Sequence, residues 1–354
     1  MPRPRAAVAA IPRYVAGRPP LRRDGITSYK LSSNENPYPP LPEVTDAIAR
    51  AAAECNRYPD MGSAALLDAL SLARGVPIER LAVGTGSSAL IYGLLCAFCT
   101  TGDEVVHPWR SFEAYPIAIA ACGATAVPVP NLPDGRHDVD GLIGALTPST
   151  RAVMLCSPNN PTGPALTRSD LDRLLAAVPA DVLVLLDEAY AEFVRRPDAV
   201  DGLVAQAAHP NLVALRTFSK AHGLAGLRVG YAVGTPEVIG AVRSVLLPFG
   251  VSGVAEEAAV AALKAEDQLL ERVDAIVAER ERVVAAVRAL GWDIPDAEGN
   301  FWWLPLAGAA LDRFVEAAAG AGVSVRPLGG EGARVSVGER EANDRIIEVL
   351  GPVV

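Results

Sequence analysis

An α/β fold with a mostly parallel sheet, followed by a smaller α+β unit, is what this chain's pattern of apolar runs predicts. The first observation is that Ala152-Val-Met-Leu-Cys156 and Asp181-Val-Leu-Val-Leu-Leu-Asp187 are uninterrupted by polar residues until their ends, as strands covered on both faces are. Second, such runs alternate with helical spacing. Third, 354 residues that are 50% hydrophobic are ample for a large core and about two domains.

Taken in order, residues 1–36 form an N-terminal arm, with Pro12-Arg-Tyr-Val-Ala-Gly17 extended. A helix starts near Pro42, a good first-turn residue, and runs through Val44, Ile48 and Ala52. Arg57-Tyr-Pro-Asp60 breaks it, and Leu66, Leu67, Leu70 and Leu72 mark a second helix. From Leu81 the order is strand, glycine turn, helix. Strands are expected at Glu104–His107, Ala126–Val129, Ala152–Cys156, Asp181–Asp187, Leu212–Leu215 and Val229–Val233. Helices are expected at Phe112–Cys122, at Leu142–Leu146 and, capped by Ser169, at Leu171–Val178. The large unit is then 37–248 and the small one 249–354. The latter opens with a long helical stretch, Val254–Leu290, broken once. Strand Phe301–Leu304, a helix at Leu311–Ala319, a strand pair of Val323–Arg326 with Arg334–Val337, and a last helix to Leu350 complete it.

A net charge of -9 gives no reason to seek nucleic acid or an anionic membrane. The apolar stretch Ala89–Cys99 is too short to span a bilayer, and Arg3 and Arg5 precede no apolar leader. Five scattered cysteines fit a reducing cytoplasm. Cys96-Ala-Phe-Cys99 sits in an apolar helical pattern and reads as small core residues, not as a redox or metal pair. No metal site is expected.

Four strand-end features converge with one lysine. Lys30, Lys220 and Lys264 are the lysines among 32 basic residues. Lys220 lies in Arg216-Thr-Phe-Ser-Lys-Ala-His-Gly-Leu-Ala-Gly-Leu-Arg-Val-Gly-Tyr231, an apolar stretch with spaced glycines. Unlike arginine, a lysine there can lose its proton and act as a nucleophile. Gly84-Thr-Gly-Ser-Ser-Ala89 exposes amides at a helix start, which suits a phosphate. A dinucleotide reading fails, because the next strand ends in His107-Pro108 rather than in an acid. Ser157-Pro-Asn-Asn-Pro-Thr-Gly163 follows one buried strand. Asp187-Glu-Ala-Tyr190 ends another, where parallel sheets bind ligands.

Together with Asn34-Glu-Asn-Pro37, Arg57-Tyr-Pro-Asp60 and Arg334-Val-Ser-Val-Gly338, these motifs resemble the fold type I pyridoxal-phosphate-dependent aminotransferases over nearly the whole chain. The resemblance is to histidinol-phosphate aminotransferases and most of all to the aromatic amino acid (phenylalanine) branch. It implies that Lys220 bonds the pyridoxal 5'-phosphate covalently and later carries a proton, and that Asp187 pairs with the pyridine nitrogen. Tyr190 and Asn160 would meet the phenolate oxygen, and Phe112 would stack on the ring. Ser87, Ser88, Thr217, Ser219 and Arg228 would hold the phosphate. Tyr58 would reach the partner subunit's cofactor in a homodimer with shared sites. Arg334, with Asn160 beside it, would grip the substrate carboxylate, and Tyr14 would cover it. Arg228 and the leucines Leu224 and Leu227 are expected to lower the pKa of Lys220. Histidinol-phosphate aminotransferases usually carry Asp-Glu where this chain has Ser88-Ala89, which favours transamination of aromatic amino acids with 2-oxo acids. Histidinol-phosphate transamination is the alternative.

Overall fold

The computed structural model describes residues 2–351 apart from 4, 10, 12, 13, 18 and 21–24; Pro12 and Arg13 of the expected extended arm therefore lie outside the described residues. Strands are numbered in chain order: β1 (Tyr29–Lys30), β2 (Leu81–Gly84), β3 (Glu104–Trp109), β4 (Thr125–Pro130), β5 (Thr150–Cys156), β6 (Leu183–Asp187), β7 (Leu212–Thr217), β8 (Gly230–Val233), β9 (Phe301–Leu304), β10 (Val323–Ser324), β11 (Arg326–Leu328) and β12 (Gly332–Ser336).

Seven strands make one sheet in the order β2-β8-β7-β6-β5-β3-β4. All neighbours are parallel except β8, which runs antiparallel to both β2 and β7. The alternation expected of a doubly covered sheet is visible within β6. Leu183 and Leu185 enter the core beneath helices Ser87–Phe98, Ala114–Cys122 and Pro236–Val245. Val184 and Leu186 enter the opposite core with Leu171 and Leu174 of helix Arg168–Ala177. Both sides of the strand are thus withdrawn from water, and its apolar run has no polar break.

This topology gathers the functional motifs on one edge. The parallel strands β5, β6 and β7 all end there at Cys156, Asp187 and Thr217, and β2 ends there at Gly84. Since β8 runs the other way, its first residue Gly230 pairs with Gly84 and Thr217. Arg228 therefore arrives at the same edge. A Cβ at Gly230 would lie 2.6 Å from the Ser87 amide nitrogen, so only glycine lets the strand come this close to the helix start.

The C-terminal part packs helices Gly253–Lys264 and Glu266–Ala289 against Pro42–Ala52, Ala64–Arg74 and the strands β11-β12-β9. The single expected break in the long helix falls at Ala265. The arm enters this layer too, because β1 pairs in parallel with β10.

Several local expectations shift. Val323–Arg326 is not one strand: Val323–Ser324 pairs with the arm, and only Arg326–Leu328 pairs antiparallel with Gly332–Ser336. Thr167, not Ser169, caps Arg168–Ala177, its hydroxyl accepting from the Asp170 amide at 3.1 Å. The helix expected at Leu142–Leu146 is instead Val139–Gly144, started by the Asp138 carboxylate on the Gly141 amide. Leu72, expected on the buried face of its helix, is 89% exposed, because it lies off the side carrying Leu66, Leu67 and Leu70.

Candidate active site

A cavity of about 360 Å³ opens at the sheet edge where the strand ends meet, lined by residues from the arm, the sheet and the C-terminal layer. A larger cavity, about 940 Å³, runs past Tyr92, Arg243 and Leu247 and touches the first at Ser88. Lys220, Asp187 and Tyr190 line the smaller one.

Lys220 follows β7 by three residues. Its Nζ donates to the Ser33 carbonyl at 3.1 Å and the Asn34 carbonyl at 3.3 Å, and lies 5.7 Å from the Tyr190 ring centroid. Part of the side chain is open to the cavity, yet the amine sits deep among protein atoms. Burial first and the Arg334 charge second push its pKa down to about 7, with Glu35 opposing. Arg228, expected as a main cause, contributes after these. Leu224 is buried, and Leu227 only partly.

Asp187 ends β6 and is 4% exposed. The Tyr115 hydroxyl donates to its Oδ2 at 2.9 Å, while Oδ1 is buried with no hydrogen-bond partner among the described residues. Desolvation raises its pKa to about 6, against the Tyr115 hydrogen bond, the nearby Ala189 amide and the Lys220 charge. An orphaned carboxylate oxygen is costly to bury. A ring nitrogen that carries a proton would satisfy it, so this atom fits the pyridine of pyridoxal phosphate.

Beyond Asp187 the next side chain turns away. Glu188 accepts from Arg216 at 3.2 Å and from the Gly202 amide at 2.7 Å, on the far side of the sheet. Period-two alternation thus separates a site carboxylate from a structural one. Tyr190 returns to the cavity: its hydroxyl accepts from Asn34 Nδ2 at 3.0 Å, and its ring meets Phe301 edge-on at 4.8 Å. Burial pushes its phenol pKa up.

At the helix start, Ser87 and Ser88 line the cavity with Thr217, Ser219 and Arg228. The Thr217 hydroxyl donates to Ser219 Oγ at 3.0 Å, and Arg228 Nη1 donates to the same Oγ at 3.2 Å. Arg228 takes the left-handed conformation, φ 58°, at the end of the short turn Ala225–Leu227. Gly86, at φ 82°, holds a backbone conformation that strains other residues, and a Cβ there would fall 2.6 Å from Arg228 Nη2 and displace that guanidinium. Helix amides, two hydroxyls and a guanidinium thus converge where an anion fits.

Arg334 on β12 donates to Asn160 Oδ1 at 2.6 Å and to the Ser32 carbonyl at 2.9 Å. It is 8% exposed, its Nε is buried without a partner, and among the described residues no carboxylate pairs with it. Burial pulls its pKa down. Phe112 lines the cavity, packed edge-on against Tyr115 at 5.6 Å. Tyr14 lies at the cavity mouth, half exposed.

Tyr58 is the exception. It is 84% exposed, stacks 4.9 Å from Phe249, and does not line this cavity. Within one chain the structure does not bring it to the others. Sequence reading also misses Tyr115, Asn34 and Arg326. Tyr115 ends the Trp109–Tyr115 segment that holds Phe112, and Asn34 opens a motif already noted, but nothing local says what either touches.

The family model described as aminotransferase class I and II matches residues 27–350. The aromatic amino acid aminotransferase of Streptomyces avermitilis is 52% identical over 348 residues, 98% of this chain and 96% of that protein. That of Rhodococcus jostii is 49% identical, covering 98% and 94%. Among solved structures, the histidinol-phosphate aminotransferase of Sinorhizobium meliloti in complex with pyridoxal-5'-phosphate has a TM-score of 0.87 at 26% identity, covering 99% of this chain and 97% of that one. A mutant aspartate aminotransferase of Thermus thermophilus reaches 0.83 at 25% identity, covering 99% of each.

Proposed function

This chain belongs to the class I and II aminotransferases, and from that premise we propose that it moves the amino group between an aromatic L-amino acid and a 2-oxo acid, using pyridoxal 5'-phosphate. One observation carries the chemistry: a lysine amine with its pKa near 7 shares a cavity with a buried carboxylate oxygen that has no hydrogen-bond partner among the described residues. The aromatic substrate rests on the relatives named for it.

When bound, the cofactor supplies an aldehyde carbon for amines and a ring that accepts electrons. Each protein group then has one task. Asp187 offers Oδ1 to the pyridine nitrogen and keeps it protonated. Tyr190 and Asn160 serve the phenolate oxygen, Phe112 the ring face, and Ser87, Ser88, Thr217, Ser219 and Arg228 the phosphate. Near neutral pH Lys220 is present in both protonation states, so its Nζ can take up a proton and return it. Arg334, with no carboxylate paired to it among the described residues, binds the substrate's, and Asn160 fixes its orientation. Tyr14 covers the bound substrate. Donor and acceptor use this one site in turn, giving ping-pong kinetics.

Initial rates decide the substrate. Phenylpyruvate with glutamate is expected to outrun histidinol phosphate with 2-oxoglutarate by at least about tenfold in kcat/KM. A preference for the phosphorylated amine would sink the aromatic reading.

The exposed Tyr58 supports a homodimer in which each chain completes its partner's site. Mixing Arg228→Ala protomers with Tyr58→Ala protomers should then restore about a quarter of the wild-type sites, since half of the dimers are mixed and each has one intact site. No recovery in verified mixed dimers would remove the sharing. A cytoplasmic location belongs to the same proposal; all five cysteines are free, which fits a reducing compartment.

A further inference from the structure

Asp187 and Glu188 adjoin on the chain and are both buried carboxylates, yet opposite kinds of partner answer them. Glu188 meets a cation, the Arg216 guanidinium at 3.2 Å. Asp187 meets a neutral phenol, since Tyr115 donates to its Oδ2 at 2.9 Å. Burial favours the protonated form of a carboxyl unless something holds the charge. A cation would hold it and also cancel it. A neutral donor stabilises the charge and leaves it available to a second partner.

Tyr115 is fixed in place for this contact. It stands in the first turn of helix Ala114–Cys122 and is fully buried, so its hydroxyl needs an acceptor. Its amide donates to the Phe112 carbonyl at 3.0 Å. Phe112 at 5.6 Å and His107 at 6.4 Å both meet its ring edge-on, which limits where the hydroxyl can reach.

The other groups around Asp187 do not replace it. Cys156 is the register partner of Asp187 on β5, but its thiol donates to the Pro158 carbonyl at 3.4 Å. The Tyr190 hydroxyl is engaged with Asn34, and the Lys220 amine donates to the Ser33 and Asn34 carbonyls. The Ala189 amide supports the carboxylate from the backbone. With Oδ2 taken by Tyr115, Oδ1 is left without a hydrogen-bond partner among the described residues.

We propose that Tyr115 is a positioning residue for the reaction: its hydroxyl keeps Asp187 ionised and its Oδ2 occupied, so that Oδ1 is offered to the pyridine nitrogen with its charge uncancelled. This deepens the role given to Asp187 in the function proposed above and rests on it. Tyr115 does not line the cavity and acts through the carboxylate.

The test uses Tyr115→Phe, which keeps the ring and its packing and removes only the hydroxyl. In the cofactor-free protein, infrared spectroscopy follows the protonated Asp187 carboxyl, identified as the band missing from Asp187→Asn. Its midpoint, about 6 in the wild type, is expected to rise by about one pH unit or more in Tyr115→Phe, the scale of one hydrogen bond to a charged group. In the loaded enzyme, kcat for phenylpyruvate with glutamate is expected to fall about tenfold. In the Asp187→Asn background the same substitution should cost less than about threefold, because no carboxylate is left to keep ionised.

An unmoved midpoint overturns the proposal, and so does an unchanged kcat in Tyr115→Phe. A tenfold loss that persists in the Asp187→Asn background overturns it too, since Tyr115 would then act by another route. The infrared midpoint requires neither cofactor nor turnover. Failure of the proposed reaction would instead appear in the wild-type rates with phenylpyruvate.

Discussion

Lys220→Ala is expected to lower transamination by at least about 10^4-fold, the scale on which loss of a covalent catalyst is felt. The visible absorbance of the loaded enzyme should be lost with it, while circular dichroism remains that of a folded protein. Turnover within tenfold of wild type would remove Lys220 from the chemistry. The substitution has a second, separable effect on the cofactor-free protein. Folding holds the amine's pKa near 7, against an ordinary value of 10.5. Below about pH 7 the amine is protonated in both states, and the folded state bears the full cost of the buried charge. Above about pH 10.5 it is neutral in both, and the cost is gone. The unfolded chain binds more protons in between, so stability rises with pH across that window, at about 1.4 kcal/mol per pKa unit. Urea unfolding from pH 7 to 10 should show this rise in the wild type and a flatter profile in Lys220→Ala. Parallel profiles would mean that the amine is not desolvated.

Asp187→Asn is the second large effect, with kcat falling about 10^3-fold, comparable with losing one preorganised electrostatic partner. Asparagine fills the same space and can keep the Tyr115 contact, but a neutral amide cannot hold the pyridine nitrogen protonated. A kcat within tenfold of wild type would show that the free oxygen is not needed. In the cofactor-free protein the sign is that of a raised carboxyl. Folding lifts the pKa from 3.8 to about 6, so the folded state binds more protons between these values. This contribution is fully present below about pH 3.8 and is lost as pH rises to about 6. An asparagine side chain does not titrate, so the Asp187→Asn variant should lack this fall.

The sheet and the strand-end residues are readable because burial on both faces leaves an apolar run that stops where the chain meets the site. Asp187 is conspicuous as a carboxylate closing such a run. The lysine stretch is readable from its scarcity of rivals. What cannot be read are pairings between distant segments. Nothing near Tyr115 announces Asp187, 72 residues away, and nothing near Arg326 announces Glu113, 213 residues away. The cap of Arg168–Ala177 is misplaced for a local reason: Thr167 and Ser169 are both hydroxyls, 3.1 Å apart, and the backbone selects between them. Val323–Arg326 misleads because its two halves serve different sheets.

The arm's short strand has a consequence for how the protein is made. Ser32, Ser33 and Asn34 hold Arg334, Lys220 and Tyr190 through contacts that span 302, 187 and 156 residues. Such separations delay contact formation, because much of the chain must already be ordered before its ends can meet. On the ribosome, the segment holding Ser32 emerges 302 residues before the guanidinium it holds. The sheet can fold as its strands appear, whereas the site closes only after Arg334 has emerged.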